Sequence, residues 1–531
     1  MTVLIHELIQ CSASRFPDSE ALVHKKNRIS YSAMAREVDL AKNSILDLGL
    51  DSGERVAVYL EKRPETVIAL FGATAAGGVF VPVNPLLKAE QVAYILRDCN
   101  VRILVTSVER LRLLAGVLEH CHDLRTVIVV GREAPPVTVR HANLKFVQWG
   151  EALAQAGAIR AHPRIDNDVA AILYTSGSTG KPKGVVLSHR NLVAGAASVS
   201  EYLKNRSDDR ILSVLPLSFD YGLNQLTTAF HVGATAVLMN YLLPRDIVDL
   251  VRDENITGLA AVPPLWIQLA QLKWPDNLPL RYITNSGGAM PRATLELLRS
   301  HLPGTAVFLM YGLTEAFRST FLPPEQVGIR PDSIGKAIPN AEVLVVREDG
   351  SLCAPGEPGE LVHRGVHVSM GYWNDPEKTA ERFRPVPSRQ PGLTIPELAV
   401  WSGDTVRMDE EGFLYFIGRR DEMIKTSGYR VSPMEVEEVI YATELVAEAA
   451  AVGVRHPVLG QAIALIATPR AGRVPDEQAL LSACKHNLPA YMLPSRVIYK
   501  EGSLPRNPNG KIDRKLLADE LQNVFMETVN E

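Results

Sequence analysis

Residues 169–184 read VAAILYTSGSTGKPKG, an apolar and β-branched run that leads directly into a glycine-rich loop. The run predicts a buried strand. The loop, TSGSTGKPKG (175–184), carries three glycines, four hydroxyl side chains and two lysines, a composition that cannot pack a hydrophobic core. Its amides, hydroxyls and lysines can instead surround an anion, and the glycines allow a close backbone approach. We interpret it as a polyphosphate-binding loop; the alternative is a flexible surface turn.

The spacing of this loop does not fit the common P-loop of nucleotide-binding proteins. A P-loop places four residues between its first glycine and the Gly-Lys pair, and it puts Ser or Thr after the lysine. Here only two residues separate Gly177 from Gly180, and Pro182 follows Lys181. The next helix is therefore predicted to begin after Ser188, whose hydroxyl can cap it.

Outward from this loop, the first four hundred residues alternate between short β-branched runs and longer segments with helical periodicity. RVAVYL (55–60) and RILVTS (102–107) predict strands, whereas KAEQVAYILRDC (88–99) and RATLELLRSHL (292–302) predict helices. This alternation is typical of α/β proteins with largely parallel sheets. From about residue 333, runs such as AEVLVV, GELVHRG and FLYFIG predict a smaller β-rich subdomain.

The pattern changes again at GRRDEMIKTSGYRVSP (418–433), a polar, glycine-containing connection of the kind that joins domains. About a hundred residues follow, in which helical and strand-like segments predict a small α+β domain. The predicted fold class is therefore α/β, with a large N-terminal domain of parallel α/β sheets plus a β-rich subdomain, and a small mobile α+β C-terminal domain. The predicted boundaries are 1–418 for the first domain, 419–421 for a hinge, and 422–531 for the second domain.

Length, charge and cysteine content narrow the protein class. A chain of 531 residues is too long for one hydrophobic core, so at least two domains are expected. The net charge of −4 gives no electrostatic reason to expect a nucleic-acid partner. Five scattered cysteines without CxxC spacing indicate a reducing compartment. The N-terminal segment lacks a secretory signal pattern and no apolar run is long enough to span a bilayer, so we expect a cytoplasmic protein without an integral membrane segment.

Six segments, in order along the chain, resemble those of one enzyme family. YTSGSTGKPKG (174–184) is similar to the signature of the AMP-forming adenylating enzymes, which include acyl-CoA synthetases, nonribosomal peptide synthetase adenylation domains and luciferases. The five further segments are SGGAMP (286–291), YGLTE (311–315), WSGD (401–404), GRRDEMIKTSGYRVSP (418–433) and NPNGKIDRK (507–515). The resemblance covers essentially the whole chain.

The resemblance implies an ATP-dependent ligase with two half-reactions. A carboxylate attacks the α-phosphate of ATP and gives an acyl- or aminoacyl-adenylate with release of pyrophosphate; a thiol then displaces AMP and a thioester forms. The implied cofactors are ATP, Mg²⁺, and either coenzyme A or the phosphopantetheine of a carrier protein. The implied partners are a small carboxylic acid and a thiol acceptor supplied by a separate molecule.

The resemblance also assigns roles in nucleotide binding. The residues implied to hold the phosphates are Thr175, Ser176, Gly177, Ser178, Thr179, Gly180, Lys181 and Lys183. Adenine is implied to lie against Gly287, Gly288 and Ala289, with Tyr311 stacking on the ring and Gly312 beside it. Asp404 is implied to accept hydrogen bonds from the ribose hydroxyls, and Arg419 to reach the ribose or a phosphate. Leu309 departs from the family pattern, because many relatives have a polar residue there.

The implied catalytic residues come from both domains. Lys511 is implied to enter the site and to neutralise the acid and the α-phosphate during adenylation. Thr314 is implied to offer its hydroxyl to the α-phosphate, and Glu315 to bind Mg²⁺. Asp421 is implied to be the pivot about which the small domain turns. The segment that would then line the thiol tunnel contains Lys425, Gly428, Tyr429 and Arg430.

The acid pocket is predicted from SFDYGLNQL (218–226), VPPLW (262–266) and the segments around SGGAMP and YGLTE. Its selected residues are Phe219, Asp220, Trp266 and Arg318. A buried carboxylate needs a partner, so Asp220 is predicted to pair with the ammonium group of an amino-acid substrate. The alternative is that Asp220 binds local groups or water. An amino acid or another polar acid is thus preferred over a long alkyl chain.

The sequence leaves a few alternative functions to consider. Within the family, the alternatives are an acyl-CoA synthetase for a medium-chain, long-chain or aryl acid, and a luciferase-like oxygenase. From another class, the chain could be a catalytically silent adenylate-binding regulator, but the presence of Lys511 and Glu315 speaks against this. A dinucleotide oxidoreductase is disfavoured because no GxGxxG follows an early strand.

Overall fold

The computed structural model describes residues 2–131, 144–155, 157–175, 182–387, 392, 394–419, 422–426, 429–456, 459–507 and 510–525. These residues form three β-sheets with helices packed on them. None of the helices in this part of the chain combines the length and the apolar character needed to cross a bilayer.

The strands are numbered in chain order. The strands up to the glycine-rich loop and its return are β1 (Glu20–His24), β2 (Asn27–Ser30), β3 (Arg55–Tyr59), β4 (Val79–Pro82), β5 (Val101–Ser107), β6 (Thr126–Val130), β7 (Lys145–Gln148), β8 (Val169–Thr175) and β9 (Lys183–Ser188). The strands of the middle of the chain are β10 (Arg210–Ser213), β11 (Thr235–Leu238), β12 (Gly258–Ala261), β13 (Tyr282–Asn285), β14 (Ala306–Tyr311), β15 (Thr320–Leu322), β16 (Ser333–Ala337), β17 (Ala341–Val346), β18 (Gly359–Gly365), β19 (Phe383–Pro385), β20 (Leu398–Met408) and β21 (Leu414–Arg419). The last strands are β22 (Ile424–Thr426), β23 (Tyr429–Val431), β24 (Val446–His456), β25 (Gly460–Pro469) and β26 (Arg496–Tyr499).

The helices are numbered in the same way. Those of the N-terminal half are α1 (Glu7–Arg15), α2 (Tyr31–Asp47), α3 (Pro64–Ala75), α4 (Ala89–Asp98), α5 (Val108–Leu114), α6 (Trp149–Gln155), α7 (His189–Leu203), α8 (Asp220–Val232) and α9 (Pro244–Asp253). Those of the C-terminal half are α10 (Pro263–Ala270), α11 (Arg292–His301), α12 (Pro376–Arg382), α13 (Pro433–Ala442), α14 (Glu477–Asn487) and α15 (Arg514–Glu520).

The first sheet has seven strands in the order β7-β6-β5-β3-β4-β8-β9. Its neighbours pair in parallel, except that β9 returns antiparallel to β8. Thr175 pairs with Lys183 at the mouth of the glycine-rich loop, whose residues 176–181 lie outside the described residues. The parallel sheet predicted from the β-branched runs is confirmed, and α7 begins after Ser188, whose Oγ accepts from the Asn191 amide at 3.1 Å as predicted.

The second sheet has fourteen strands and two parts. β1, β11, β10, β12, β13 and β14 pair in parallel in that order, and β15 to β21 continue the sheet with antiparallel pairs. The β-rich segment after residue 333 is therefore not a detached unit, since β15 and β16 join it edge to edge to the parallel part. The parallel part positions the loops that follow β10, β13 and β14 at one edge of the sheet.

The C-terminal domain is built on a five-stranded sheet. Its strands run in the order β23-β22-β25-β24, with β26 parallel to β25. Apolar side chains on one face pack with α13 and α14, and those on the other face pack with α15. This is the small α+β domain that the sequence predicts.

Candidate active site

Several of the predicted site residues lie in loops at the carboxyl ends of parallel strands. The loop after β10 leads to Asp220 at the start of α8, and the loop after β13 contains Gly287 and Gly288. The loop after β14 contains Thr314 and Arg318. Since these strands are neighbours in one sheet, their loops lie side by side, in the place where α/β proteins bind ligands.

Lys511 reaches this edge from the C-terminal domain. Gly287 has a φ of +84°, and a Cβ placed on it would lie 3.5 Å from Lys511 Cε. The tip that carries Lys511 is ordered by a reciprocal pair of hydrogen bonds: the Lys511 amide donates to Asn507 Oδ1 at 3.1 Å, and the Asn507 amide donates to the Lys511 carbonyl at 2.8 Å. The structure thus brings the tail lysine to the glycines of SGGAMP, although 224 positions separate Gly287 from Lys511 in the sequence (511 − 287).

Most of the charges that act on Lys511 lie outside the small domain. The surrounding protein lowers the pKa of Lys511 from the ordinary lysine value, and the positive charge of Arg419 lowers it further. Asp220 and Asp404 act in the opposite direction. Lys511 therefore lies in a mixed electrostatic environment that can receive an anionic substrate beside an ammonium group.

Asp404 and Arg419, which are predicted to hold the ribose, lie beside Tyr311, which is predicted to stack on adenine. Asp404 pairs with Arg419 across β20 and β21, and its Oδ1 accepts from Arg419 Nε at 3.2 Å. The Tyr311 hydroxyl donates to Asp404 Oδ2, and burial raises the pKa of Tyr311 well above its ordinary value. The hydroxyl of Tyr311 thus orients the aspartate, a role that the sequence did not suggest; the predicted stacking of its ring on adenine stays a prediction.

Glu315, the predicted Mg²⁺ ligand, is held by a tyrosine that sequence analysis missed. The Tyr372 hydroxyl donates to Glu315 Oε1 at 2.5 Å. Lys183 Nζ lies 5.3 Å from the centroid of the Tyr372 ring. The charges of Glu315 and Tyr372 both act to raise the pKa of Arg382. Tyr372 follows Gly371 and Arg382 ends α12, but neither position belongs to a segment that sequence analysis had selected.

The donor set around Glu315 fits a magnesium ion that is held mainly by its substrate. In the part of the chain that the structure describes, no three His, Cys, Asp or Glu side chains cluster in a way that could hold a metal ion. One oriented carboxylate beside a polyphosphate is what Mg²⁺ commonly uses, with water and phosphate oxygens completing its shell. Glu315 is the residue that would contact such an ion.

Replacing Tyr372 with phenylalanine tests the orientation of Glu315. The ring would keep its packing, but the carboxylate would lose its hydrogen bond, and we expect about a tenfold higher Mg²⁺ requirement for ATP-dependent turnover. The measurement is pyrophosphate release against Mg²⁺ concentration. Tyr415→Phe is the matched control, because the Tyr415 hydroxyl donates to Asp409 at 3.0 Å outside the site. An unchanged Mg²⁺ dependence in Tyr372→Phe would show that the tyrosine does not position Glu315.

Asp220 already has partners in the protein. It is 2% exposed; its Oδ1 accepts from the Thr314 hydroxyl at 2.9 Å, and its Oδ2 accepts from Arg318 Nη1 at 3.0 Å. Burial raises the pKa of Asp220, whereas Arg318 and Thr314 favour its charged form. Arg318 thus supplies a positive partner for Asp220 within the protein, which is the alternative of local groups, and the predicted pairing of Asp220 with a substrate ammonium group stays a prediction. The Thr314 hydroxyl donates to Asp220, and its predicted contact with the α-phosphate stays a prediction.

The two aromatic residues predicted for the acid pocket differ in their surroundings. Trp266 is fully buried, and its Nε1 donates to the carbonyls of Ala261 at 3.0 Å and Thr284 at 3.1 Å, so it fixes two strand ends from within the core. Phe219 is half-buried and packs edge-on against Tyr221, with 6.3 Å between ring centroids. Phe219 thus stays a candidate for substrate contact, whereas Trp266 lies in the core and holds β12 and β13 together.

The other predicted positions divide into described and undescribed ones. Ala289 and Gly288 are exposed, and a Cβ on Gly288 would lie 3.2 Å from Pro263. A Cβ on Gly312 would lie 3.1 Å from Arg318 Cα, which explains the need for glycine there. The predicted residues that lie outside the described residues are Ser176, Gly177, Ser178, Thr179, Gly180, Lys181, Asp421 and Gly428. Only the backbone is described for Lys425, Tyr429 and Arg430.

Comparisons with known proteins match two family models to the chain. The family model described as AMP-binding enzyme matches residues 9–373, and the model described as AMP-binding enzyme C-terminal domain matches residues 435–511. A linear gramicidin synthase of Brevibacillus parabrevis is 30% identical over 519 residues, which cover 97% of this chain but only 10% of that protein. The chain thus spans about a tenth of the length of this relative.

A relative of similar length and a solved structure also match. The L-proline–[L-prolyl-carrier protein] ligase of Pseudomonas fluorescens is 30% identical over 534 residues, covering 98% of this chain and 99% of the ligase. The crystal structure of ATP-bound MatB from Rhodopseudomonas palustris has a TM-score of 0.86 at 25% identity, covering 99% of this chain and 100% of that chain. The similarity therefore extends over both domains.

Proposed function

The chain belongs to the AMP-binding enzyme family, and we propose that it uses ATP to convert a carboxylic acid into an acyl- or aminoacyl-adenylate and then passes the acyl group to a phosphopantetheine thiol. The observation that carries the proposal is the position of Lys511. An ammonium group from the small domain lies beside Gly287, at the carboxyl ends of the parallel strands, within the electrostatic influence of Asp220 and Asp404.

In the first half-reaction, one oxygen of the acid forms a bond to the α-phosphorus of ATP. The bond from that phosphorus to the oxygen that bridges it to the β-phosphate breaks, and pyrophosphate leaves with the electron pair. Both reactants are anions, so positioning and charge neutralisation carry most of the catalysis. Lys511 would neutralise the entering carboxylate and the α-phosphate, while Arg419 and Asp404 would hold the ribose.

The metal ion has a defined place in this proposal. Glu315 would hold Mg²⁺, and the ion would supply positive charge for the pyrophosphate group. Tyr372 keeps the carboxylate of Glu315 oriented, and Lys183 lies close enough to the Tyr372 ring to add a positive charge on the same side. The glycine-rich loop, residues 175–184, would enclose the remaining phosphate oxygens.

In the second half-reaction, a thiol sulfur attacks the acyl carbon and AMP leaves with the oxygen that came from the acid. The thiol proton passes to solvent, and Lys511 would withdraw from the site to make room for the thiol. We infer that the small domain turns at Asp421 and brings the strand pair β22–β23, with Lys425, Gly428, Tyr429 and Arg430, to the thiol path. Such a rotation assembles two half-sites in turn on one large domain.

A polar acid is the substrate class that we propose. Asp220 and Arg318 form a buried charged pair, and Nε and Nη2 of Arg318 have no hydrogen-bond partner among the described residues, so a long alkyl chain would leave these donors unpaired. The relative from Pseudomonas fluorescens is named for L-proline, so an amino acid remains one candidate. Because Asp220 is already paired with Arg318, that candidate no longer depends on a free carboxylate for the substrate ammonium group.

A pyrophosphate-release panel tests the function. Purified protein with ATP and Mg²⁺ should release pyrophosphate only when an acid is added, and amino, hydroxy and dicarboxylic acids should exceed fatty and aryl acids. Addition of pantetheine, coenzyme A or a holo carrier protein should then give a thioester and AMP, and the best of the three identifies the acceptor. Pyrophosphate release that no acid stimulates, or cleavage of ATP to ADP, would contradict the proposal.

A further inference from the structure

Arg318 is a buried guanidinium that the nucleotide chemistry does not use. It is 1% exposed, and its Nη1 donates to Asp220 Oδ2 at 3.0 Å and to the Phe317 carbonyl at 3.1 Å. The guanidinium carbon lies 4.5 Å from the centroid of the Tyr221 ring. The group is thus held on one side by a carboxylate and on one face by an aromatic ring.

Among the described residues, the opposite edge of this guanidinium has no hydrogen-bond partner. Nε and Nη2 of Arg318 are buried, and neither donates a hydrogen bond to any of the described residues. These two nitrogens direct parallel N–H bonds along one edge of the planar group. Leaving such charged donors unpaired in the interior is costly, so an edge of this kind indicates a partner with two acceptors.

Elsewhere in this chain, the same edge binds carboxylates. Arg190 places Nε and Nη2 at 2.7 and 3.0 Å from the two oxygens of Asp166, and Arg281 places them at 2.8 and 2.6 Å from those of Asp209. Among the described residues, the other arginines that engage one carboxylate through both nitrogens are Arg63, Arg292, Arg347, Arg364 and Arg514. A carboxylate matches this fork, whereas an ammonium group would be repelled by it.

The backbone directly before Arg318 is strained at Phe317. Phe317 has φ 57° and ψ −59°, and the Arg318 amide donates to the Ala316 carbonyl at 2.6 Å, which is the rare γ-turn with a positive central φ. The Phe317 ring is fully buried, and a Cβ on Gly195 would lie 2.3 Å from it. The turn therefore has a fixed anchor, and strain of this kind is characteristic of functional sites.

The unpaired edge of Arg318 lies near the place where the reacting carboxylate of the substrate would bind. Arg318 lies against the Tyr221 ring, and the Tyr221 hydroxyl hydrogen-bonds to Thr284 at 2.5 Å, on the strand that leads to Gly287 and its neighbour Lys511. Arg318 and Lys511 thus lie at the same edge of the sheet, where one acid can contact both. We propose that the Nε and Nη2 edge of Arg318 binds a second carboxylate of the substrate, so that the acid activated by this protein is a dicarboxylic acid. This inference rests on the proposed function, because it names the substrate class of the same site.

The test compares matched acids in wild type and in variants of Arg318. Each of succinate, glutarate, adipate, aspartate and glutamate is paired with the acid that lacks the second carboxylate: butanoate, pentanoate, hexanoate, 2-aminobutanoate and 2-aminopentanoate. For at least one pair, wild type should show a kcat/KM in pyrophosphate release on the order of 100-fold higher for the diacid. Arg318→Lys keeps the charge but loses the fork, and it should reduce that ratio at least tenfold, since roughly half of a bidentate contact is lost.

A second variant removes the charges of the buried pair together. Asp220→Asn combined with Arg318→Gln leaves no unpaired charge in the interior, and the diacid preference should vanish. Arg190→Lys is the matched control, because its fork binds Asp166 at the surface, and the ratio should stay at the wild-type value. Equal rates for diacids and monoacids in wild type would overturn the inference while leaving the ligase function in place.

A binding measurement keeps this inference separate from the ligase function. In calorimetry with Mg²⁺, an ATP analogue whose α–β bridging oxygen is replaced by a methylene group, and each acid, wild type should bind the preferred diacid, and the double variant should not bind it at a tenfold higher concentration. Diacid binding without pyrophosphate release would support the role of Arg318 and contradict the ligase function. Binding of the diacid that is equal in both proteins would overturn the role of Arg318.

Discussion

Replacing Lys511 with alanine is expected to lower acid-dependent pyrophosphate release by about a hundred- to a thousandfold. The lysine tip reaches the edge of the sheet beside Gly287, so its loss removes the ammonium group that faces two approaching anions. ATP binding should persist, because the residues predicted to hold the nucleotide belong mainly to the large domain. The rate is measured by coupled pyrophosphate detection, and ATP binding by calorimetry.

The two half-reactions provide the control for this prediction. When the acyl-adenylate is supplied ready-made, the Lys511→Ala variant should still form thioester at close to the wild-type rate, because Lys511 acts only in adenylation. Lys485→Ala, an exposed lysine at the end of α14 in the same domain, should leave both half-reactions unchanged. A Lys511→Ala variant that forms adenylate as fast as wild type would remove the proposed role of the small domain.

Replacing Asp220 with alanine is expected to lower the free energy of unfolding by about 3–5 kcal/mol, because Arg318 would remain buried without its counter-charge. The pair lies in the interior, with side chains 2% and 3% exposed for Arg318 and Asp220, so solvent cannot compensate. The measurement is the shift of the urea midpoint, followed by tryptophan fluorescence. The combined variant Asp220→Ala and Arg318→Met should recover most of the loss, since it leaves no unpaired charge.

A surface ion pair is the matched control for the buried one. Asp208 lies within 3.1 Å of Arg206, with 71% of its side chain exposed, and Asp208→Ala should change stability by less than about 1 kcal/mol. If Asp220→Ala unfolds at the same urea concentration as Asp208→Ala, the buried pair contributes no more than the exposed one. The assignment of Arg318 as a pre-oriented cation would then be wrong.

Much of the fold follows from patterns that are local in the sequence. The β-branched runs predicted β3, β5 and β8 within two residues of their bounds, and the periodic segments predicted α4 and α11 equally well. Ser188 was predicted as a helix cap because the information lies within four residues. Local spacing did not predict that β15 and β16 join the β-rich part to the parallel sheet, because that pairing depends on strands far apart in the chain.

Sequence analysis predicted some parts of the site and missed others, because contacts between distant positions leave no local pattern. The segments around Gly287, Asp404 and Lys511 follow a family pattern, and the structure brings them to one edge. The contact between Asp220 and Arg318 spans 98 positions and that between Tyr372 and Glu315 spans 57, so no spacing rule could reveal them. A buried carboxylate can be recognised in a sequence as needing a partner, but only the packed structure shows whether the protein or the substrate supplies it.

The most direct test of the account follows one oxygen atom. The acid that gives the fastest pyrophosphate release is labelled with heavy oxygen in its carboxylate and is turned over with ATP, Mg²⁺ and a pantetheine thiol. If the carboxylate attacks the α-phosphorus, mass spectrometry should find one labelled oxygen in each AMP and none in pyrophosphate. Unlabelled AMP, or label in inorganic phosphate, would contradict an acyl-adenylate and with it the role assigned to Lys511.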